Sequence, residues 1–260
     1  MQKIIQFVTR FIPRETMQRL AHFFLRIVSL FYRGKQYEDP INGITYRKLL
    51  PYGRINARQN ALAPDSMSLE RHRGIWLFLK NHTNFFTEQI RFLHVAPEYC
   101  FLRLFKKQKN LDYITGDLSS PWADVKMDIR EMPFKNGEFD AAMCNHVFEH
   151  VWEDVQSMKE FYRVLKPGGW AIFQVPIRWN TPKTIEDNTI TDPVEKEKRF
   201  GQRDHVRYYG ADYTDRLQEA GFKINVVDLT EELSEVQLKR YGLLSSEKII
   251  FCQKAEKTAN

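Results

Sequence analysis

The chain has 260 residues, 43% of them hydrophobic, and a net charge of +6. That is enough apolar material for one α/β domain with appendages, and it excludes a disordered, collagen-like or disulfide-framed chain. The three cysteines, Cys100, Cys144 and Cys252, are widely spaced and form no CxxC pair. This argues for a reducing compartment, the cytoplasm, and against a cysteine zinc site. No secretory signal and no apolar run long enough to span a membrane is expected.

Residues 1–34 carry most of the charge: Lys3, Arg10, Arg14, Arg19, Arg26 and Arg33 against Glu15, a net +5. The basic residues alternate with Phe, Leu and Ile, which suits a membrane-surface or partner-binding helix, so no nucleic-acid partner is expected. Two helices, 2–12 and 15–32, are predicted, broken at Pro13. The second has a stripe of Met17, Leu20, Phe24, Ile27, Val28 and Phe31. Such stripes usually pack on a core, so packing against the rest of the protein is expected; peripheral membrane contact through residues 1–34 is the sharper reading.

Residues 35–67 are rich in turns with short β-like pieces. Asp39-Pro40-Ile41-Asn42 and Ala63-Pro64-Asp65-Ser66 have the shape of zinc-ribbon knuckles with every cysteine replaced. Ala63 cannot ligate and Ser66 is a poor zinc ligand, so no metal is expected. Ser68 is predicted to cap a helix reaching about Lys80, with Leu69, Trp76 and Leu79 on its buried face. The division expected is thus 1–34, 35–67 and 68–260.

From residue 91 the pattern changes to seven strands alternating with helices. Strands are predicted over 91–96, 111–115, 124–127, 139–144, 170–175, 222–229 and 248–252. Helices are predicted over 99–109, 151–165, 211–220 and 231–241. This alternation implies a doubly wound, mostly parallel α/β sheet, covered on both faces. Ligands of such sheets sit at the carboxyl ends of the strands. The residues there are His94 to Glu98, Asp117, Asp128-Ile129, and Asn145 to His150. Carboxylates at successive strand ends suit ribose hydroxyls and an adenine amino group.

The stretch Asp128-Ile129 … Met132-Pro133-Phe134 … Glu149-His150 … Arg163-Val164-Leu165-Lys166-Pro167-Gly168-Gly169-Trp170 resembles the core of class I S-adenosylmethionine-dependent methyltransferases of the type 11 group. The likeness covers roughly residues 91–252 and implies a seven-stranded Rossmann-like fold with S-adenosylmethionine as cofactor. It implies that Asp117 meets the ribose, that Asp128 accepts from the adenine amino group with Ile129 against the ring, and that Asn145 and His146 line the transfer pocket. His94 stands where the family's first motif has an acid.

Two departures stand out. The family's glycine-rich turn reads Ala96-Pro97-Glu98 here. Proline offers no N–H, and Glu98 adds bulk and negative charge; Glu98 is a candidate for the cofactor's amino group, and Arg71 or Arg73 for its carboxylate. Asp117 and Asp128 are only eleven positions apart, too close for a crossover helix, so that helix is expected to be missing.

His146-Val147-Phe148-Glu149-His150 also matches the H-x-x-E-H pattern of one class of zinc peptidases. Its position directly after an apolar strand argues against that reading. The polar insertion 176–210 is long enough for a lid, and His205, Arg207 and Tyr208 are its expected substrate contacts. A base is needed only for a hydroxyl or protonated amine acceptor, and His146, His150 and His205 are the candidates. The function expected is methyl transfer to a small molecule. The alternative is a decayed methyltransferase fold that serves as a binding module at a membrane surface.

Overall fold

The computed structural model describes residues 14–53, 57–244 and 247–256. The helix expected over 2–12 lies outside them. The chain forms two compact units. One comprises residues up to Thr87, with Glu98–Leu104 and Asp228–Lys248; the other comprises Glu88–Pro97, Phe105–Val227 and the chain from Ile249 on.

The first unit opens with α1 (Arg14–Tyr32), followed by β1 (Arg33–Asp39), β2 (Ile44–Tyr46), β3 (Leu50–Tyr52), β4 (Arg58–Leu62) and α2 (Glu70–His82). β1 pairs with β2, and β3 with β4, both antiparallel. The two knuckle-like turns meet: Asn42 Nδ2 donates to Asp65 Oδ2 at 3.0 Å, and the buried Asp39 carboxylate accepts from the Ile41 N–H at 3.1 Å. The first of these bonds joins the two turns, and the second closes the first turn on itself.

Two expectations fail in this unit. The residue before α2 is Leu69, not Ser68, and its N–H donates to His72 Nδ1 at 3.0 Å. The apolar stripe of α1 is also not packed away. Leu20, Phe23, Phe24, Ile27, Leu30 and Phe31 are exposed, Phe31 by 71%. The helix is held instead through its other side, where Arg26 pairs with Asp65 and His22 meets the Asp65 carbonyl at 2.9 Å.

The seven-stranded sheet contains β5 (Ile90–Val95), β6 (Leu111–Asp117), β7 (Val125–Lys126), β8 (Phe139–Asn145), β9 (Leu165–Gln174), β13 (Lys223–Asp228) and β14 (Lys248–Gln253). Its order is β13-β14-β9-β8-β5-β6-β7. β5 to β9 pair in parallel, and β14 runs antiparallel to β9. The order turns back between β5 and β8, which is the switch point of an open α/β sheet. α3 (Tyr99–Phe105) follows β5. No helix stands between β6 and β7, as the spacing of Asp117 and Asp128 requires.

The core of this sheet is assembled by the helices α4 (Asp154–Val164) and α6 (Tyr213–Glu219). Met158, Phe161 and Val164 of α4 and Tyr213 and Leu217 of α6 pack with Leu93, Ala142, Cys144 and Phe173 from the strands. The period of α4 places Met158 and Phe161 one turn apart on one face, so their burial follows from the pattern. The turn Lys166-Pro167-Gly168-Gly169 leads into the straight part of β9. Gly168 has φ +77°, and a Cβ on Gly169 would lie 2.9 Å from the carbonyl oxygens of Asp140 and Lys166. Only glycine fits there, which is why this segment is so legible as a motif.

The insertion is an ordered layer. β10 (Ile177–Arg178), β11 (Ile185–Glu186) and β12 (Arg207–Gly210) form a three-stranded sheet of order β10-β12-β11, with α5 (Pro193–Phe200) before β12. Asp192 caps α5 by accepting from the Val194 and Glu195 N–H groups at 2.8 and 2.9 Å. α7 (Glu235–Tyr241) belongs to the first unit.

Candidate active site

The strand register aligns the carboxyl ends. Gly116, Val95 and Cys144 stand in one row across β6, β5 and β8. The next residue of each chain is Asp117, Ala96 and Asn145, so one row brings together three residues singled out from the sequence. A Cβ on Gly116 would come within 2.3 Å of the end of the Met127 side chain, so a larger residue there requires that flexible side chain to move.

Ala96 turns sharply out of β5 with φ +50°, and His146 leaves β8 with φ +56°. Both are left-handed conformations that cost an L-residue about 1 kcal/mol or more, and they gather at functional sites. Each is held by one main-chain bond. The Ala96 N–H donates to the Gly116 carbonyl at 2.9 Å, and the His146 N–H donates to the Gln174 carbonyl at 2.7 Å. The turn expected to need glycine is therefore made without it.

Asp117 Oδ1 accepts from the N–H groups of Ser119 and Ser120 at 2.7 and 2.6 Å. These bonds fix the carboxylate at the lip of the sheet and leave Oδ2 without a partner among the described residues. Asp128 is placed differently. Arg130 forms a fork with it, Nε to Oδ1 at 3.1 Å and Nη2 to Oδ2 at 2.7 Å, and the Arg130 side chain holds its carboxyl below the usual range. Arg130 also reaches Glu153 at 3.2 Å. Ile129 is 6% exposed and sits in the core, so at most an edge is available to a ring. Sequence reasoning missed Arg130, whose only signal is its spacing of two from Asp128.

His94 is fully buried. Its Nδ1 lies 2.8 Å from the Tyr113 hydroxyl, and Phe92, Phe105 and Tyr113 surround the ring. It packs behind the turn instead of opening onto it. Glu98 lies in the first unit, where its carbonyl receives the N–H groups of Phe101 and Leu102.

Arg73 is not available as a carboxylate ligand. It is 0% exposed, and its guanidinium donates to the carbonyls of Ala61, Ser68, Tyr241 and Gly242 at 2.6 to 3.0 Å. Arg207 is a second correction. It is 1% exposed and donates to the carbonyls of Phe148, Val151 and Trp152 and to Glu186 Oε2. Asp154 lies 3.4 Å away. It clamps β12 onto the turn after β8 and does not face a substrate. Tyr208, its neighbour, is half-buried with the Arg178 guanidinium 3.8 Å over its ring.

The turn after β8 forms one helical turn, Phe148–His150. Glu149 is 2% exposed, and its Oε1 lies 3.3 Å from His146 Nδ1. The Glu149 carbonyl accepts from the Val206 N–H at 2.9 Å. His205 is 3% exposed, with Nδ1 3.0 Å from the Phe200 carbonyl, and burial holds its ring below the usual imidazole range. The His150 and His205 rings meet edge to face at 4.7 Å. The three candidate histidines are thus brought around Glu149, which the residue pattern alone did not single out as the hub.

Residues 97–173 match the family described as a methyltransferase domain. A curated relative from Mycolicibacterium smegmatis, described as a "probable S-adenosylmethionine-dependent methyltransferase", is 26% identical over 105 residues. These are 40% of this chain and 37% of that protein, so the alignment spans little more than a third of the relative. Among solved structures, the [4+2]-cyclase SpnF aligns with a TM-score of 0.52 at 15% identity, over 92% of this chain and 97% of that one. A methyltransferase of Mesorhizobium loti aligns with a TM-score of 0.45 at 14% identity, over 68% of this chain and all of its own. Residues 97–173 thus carry the methyltransferase-domain match, and the seven-stranded sheet shares its fold with SpnF.

Proposed function

We propose that the chain transfers a methyl group from S-adenosylmethionine to a small-molecule acceptor. The observation that supports this most directly is the row of Asp117, Ala96 and Asn145 at the switch point of the sheet. In this reading the partnerless Oδ2 of Asp117 accepts from ribose hydroxyls. The Asp128 carboxylate accepts from the Arg130 main-chain N–H as well as from its guanidinium, so it meets the adenine amino group by sharing or exchanging one of these bonds. The left-handed turn at Ala96 lets backbone, not side chain, line the methionine end.

The cofactor supplies a methyl group on a sulfonium, whose leaving group departs without protonation. The protein's task is then to align the acceptor and keep water out. For a hydroxyl or ammonium acceptor His146 is the base we favour. If Nδ1 donates to Glu149 Oε1, the lone pair is on Nε2, and the carboxylate stabilises the imidazolium once Nε2 has taken the proton. Tyr208 remains a proposed substrate contact.

Binding of S-adenosylhomocysteine is the test. A ligand that binds only the folded state raises its stability by about 2.7 kcal/mol at about 100 times Kd. A saturable rise in melting temperature supports the assignment. No shift at millimolar ligand would leave the decayed binding module as the better reading.

The exposed stripe of α1, flanked by Arg19 and Arg26, supports peripheral contact with an anionic membrane. None of the described helices is long and apolar enough to cross a membrane. Flotation of the full chain with anionic vesicles should be lost in Phe24→Glu/Phe31→Glu. Equal flotation of that variant would rule the contact out.

A further inference from the structure

We propose that Glu149, His150 and His205 form a binding site for one transition-metal ion of the zinc class. One donor atom from each lies within 4.8 Å of the others. They come from two separate pieces of chain, the turn after β8 and the end of the insertion. The β12 clamp and the Glu149–Val206 main-chain bond keep those pieces together.

The hydrogen bonds around the cluster assign its lone pairs. A carbonyl can only accept, so His205 donates from Nδ1 to Phe200, and its Nε2 carries the lone pair. That Nε2 is buried without a hydrogen-bond partner among the described residues. Glu149 Oε2 is in the same condition, while Oε1 is engaged by His146. Two acceptors, each on a residue more than nine-tenths buried, are thus left for something that carries positive charge or a donor. His150 Nδ1 lies 3.3 Å from the Asp204 carbonyl, so it too donates from Nδ1 and leaves Nε2 as acceptor.

This is how metal-ligating histidines are held: the second ring nitrogen donates to a backbone carbonyl and fixes the tautomer. Two imidazoles sharing one tetrahedral ion have ring centres about 5 Å apart, close to the 4.7 Å found between His150 and His205. The donor atoms would sit about 3.3 Å apart around zinc. The donor atoms here lie within 4.8 Å of one another, so an ion would draw them closer, chiefly by rotation of the half-exposed His150 ring. Two nitrogens and one oxygen select zinc, cobalt or nickel over magnesium and calcium, which take oxygen. Three protein ligands leave a fourth position open, in the manner of a reactive and not a structural site. This geometry differs from the H-x-x-E-H peptidase pattern, because His146 serves Glu149 and the third ligand is His205.

The test is titration of the chelator-stripped full chain with zinc by calorimetry, and with cobalt by visible absorption. It does not depend on methyl transfer, so it succeeds or fails apart from the cofactor assay. Binding of about one ion per chain is expected, with intense cobalt bands. His150→Ala is the chief variant because that ring is half-exposed and its loss leaves the core intact. It and Glu149→Gln should weaken zinc by more than about tenfold, and His82→Ala, on the surface of the other unit, should not. No binding by the folded wild-type chain, or equal binding by wild type and His150→Ala, would overturn the site.

Discussion

Replacing Arg207 by alanine should cost stability first and any acceptor binding only secondarily. The side chain supplies hydrogen bonds to three main-chain carbonyls, those of Phe148, Val151 and Trp152, and faces Glu186 and Asp154. The two carboxylates do not become orphans. Arg216 donates to Asp154 at 3.0 Å and to Glu186 at 2.9 Å, and the Tyr209 hydroxyl donates to Asp154 at 2.7 Å. The loss is therefore mainly three buried carbonyls at about 1 kcal/mol each, plus the void. This puts the total at about 3–5 kcal/mol, in the range for breaking a buried ion pair. At roughly 2–4 °C per kcal/mol for a chain of this size, the melting temperature should fall by about 10 °C. Arg207→Lys keeps the charge but not the fork and should lose about half as much. Differential scanning calorimetry with urea unfolding measures both. A melting temperature within a degree of wild type, with only KM for the acceptor raised, would show that Arg207 faces substrate and that the clamp is not what holds the insertion.

Three further outcomes follow from the geometry. Asp117→Asn keeps the shape but loses the charge, and should weaken S-adenosylhomocysteine by about tenfold, roughly 1.4 kcal/mol, in calorimetric titration with little change in melting temperature. Gly169→Ala drives a Cβ to 2.9 Å from two carbonyl oxygens and should destabilise by about 2 kcal/mol in urea, since backbone cannot step aside as a side chain can. Asp128, held low by Arg130, and Glu160, held low by Arg163, have folded-state values below their unfolded ones. Their contribution is present above the unfolded carboxylate values of about 4 and is lost as pH falls through the depressed folded values. Urea stability should decline across that acid range, and Asp128→Asn should flatten the decline.

What the sequence made legible was local. The glycines of Lys166 to Trp170 are needed by a turn that closes on itself, so they can be read without knowing the fold. The absent helix between β6 and β7 follows from counting residues. Arg207 was misread because a polar insertion gives no hint that its arginine meets carbonyls more than fifty residues earlier. The stripe of α1 was readable as a stripe, but periodicity cannot say whether anything covers it. Glu149 was hidden in plain view inside a peptidase-like motif. Its importance arises from His205, which only the folded insertion brings to it.

Ala96 and His146 end adjacent strands in the same left-handed backbone conformation, and neither is glycine. What the turn preserves is a direction of the chain, not a residue type. A saturation library at these two positions should therefore sort by backbone tolerance: glycine and asparagine accepted, valine and isoleucine rejected, whatever their charge or size. At 146 the two demands separate, because asparagine would keep the turn while removing the imidazole. The effect of side-chain chemistry could then be read there on an unaltered scaffold, which tests the proposed role of His146 directly.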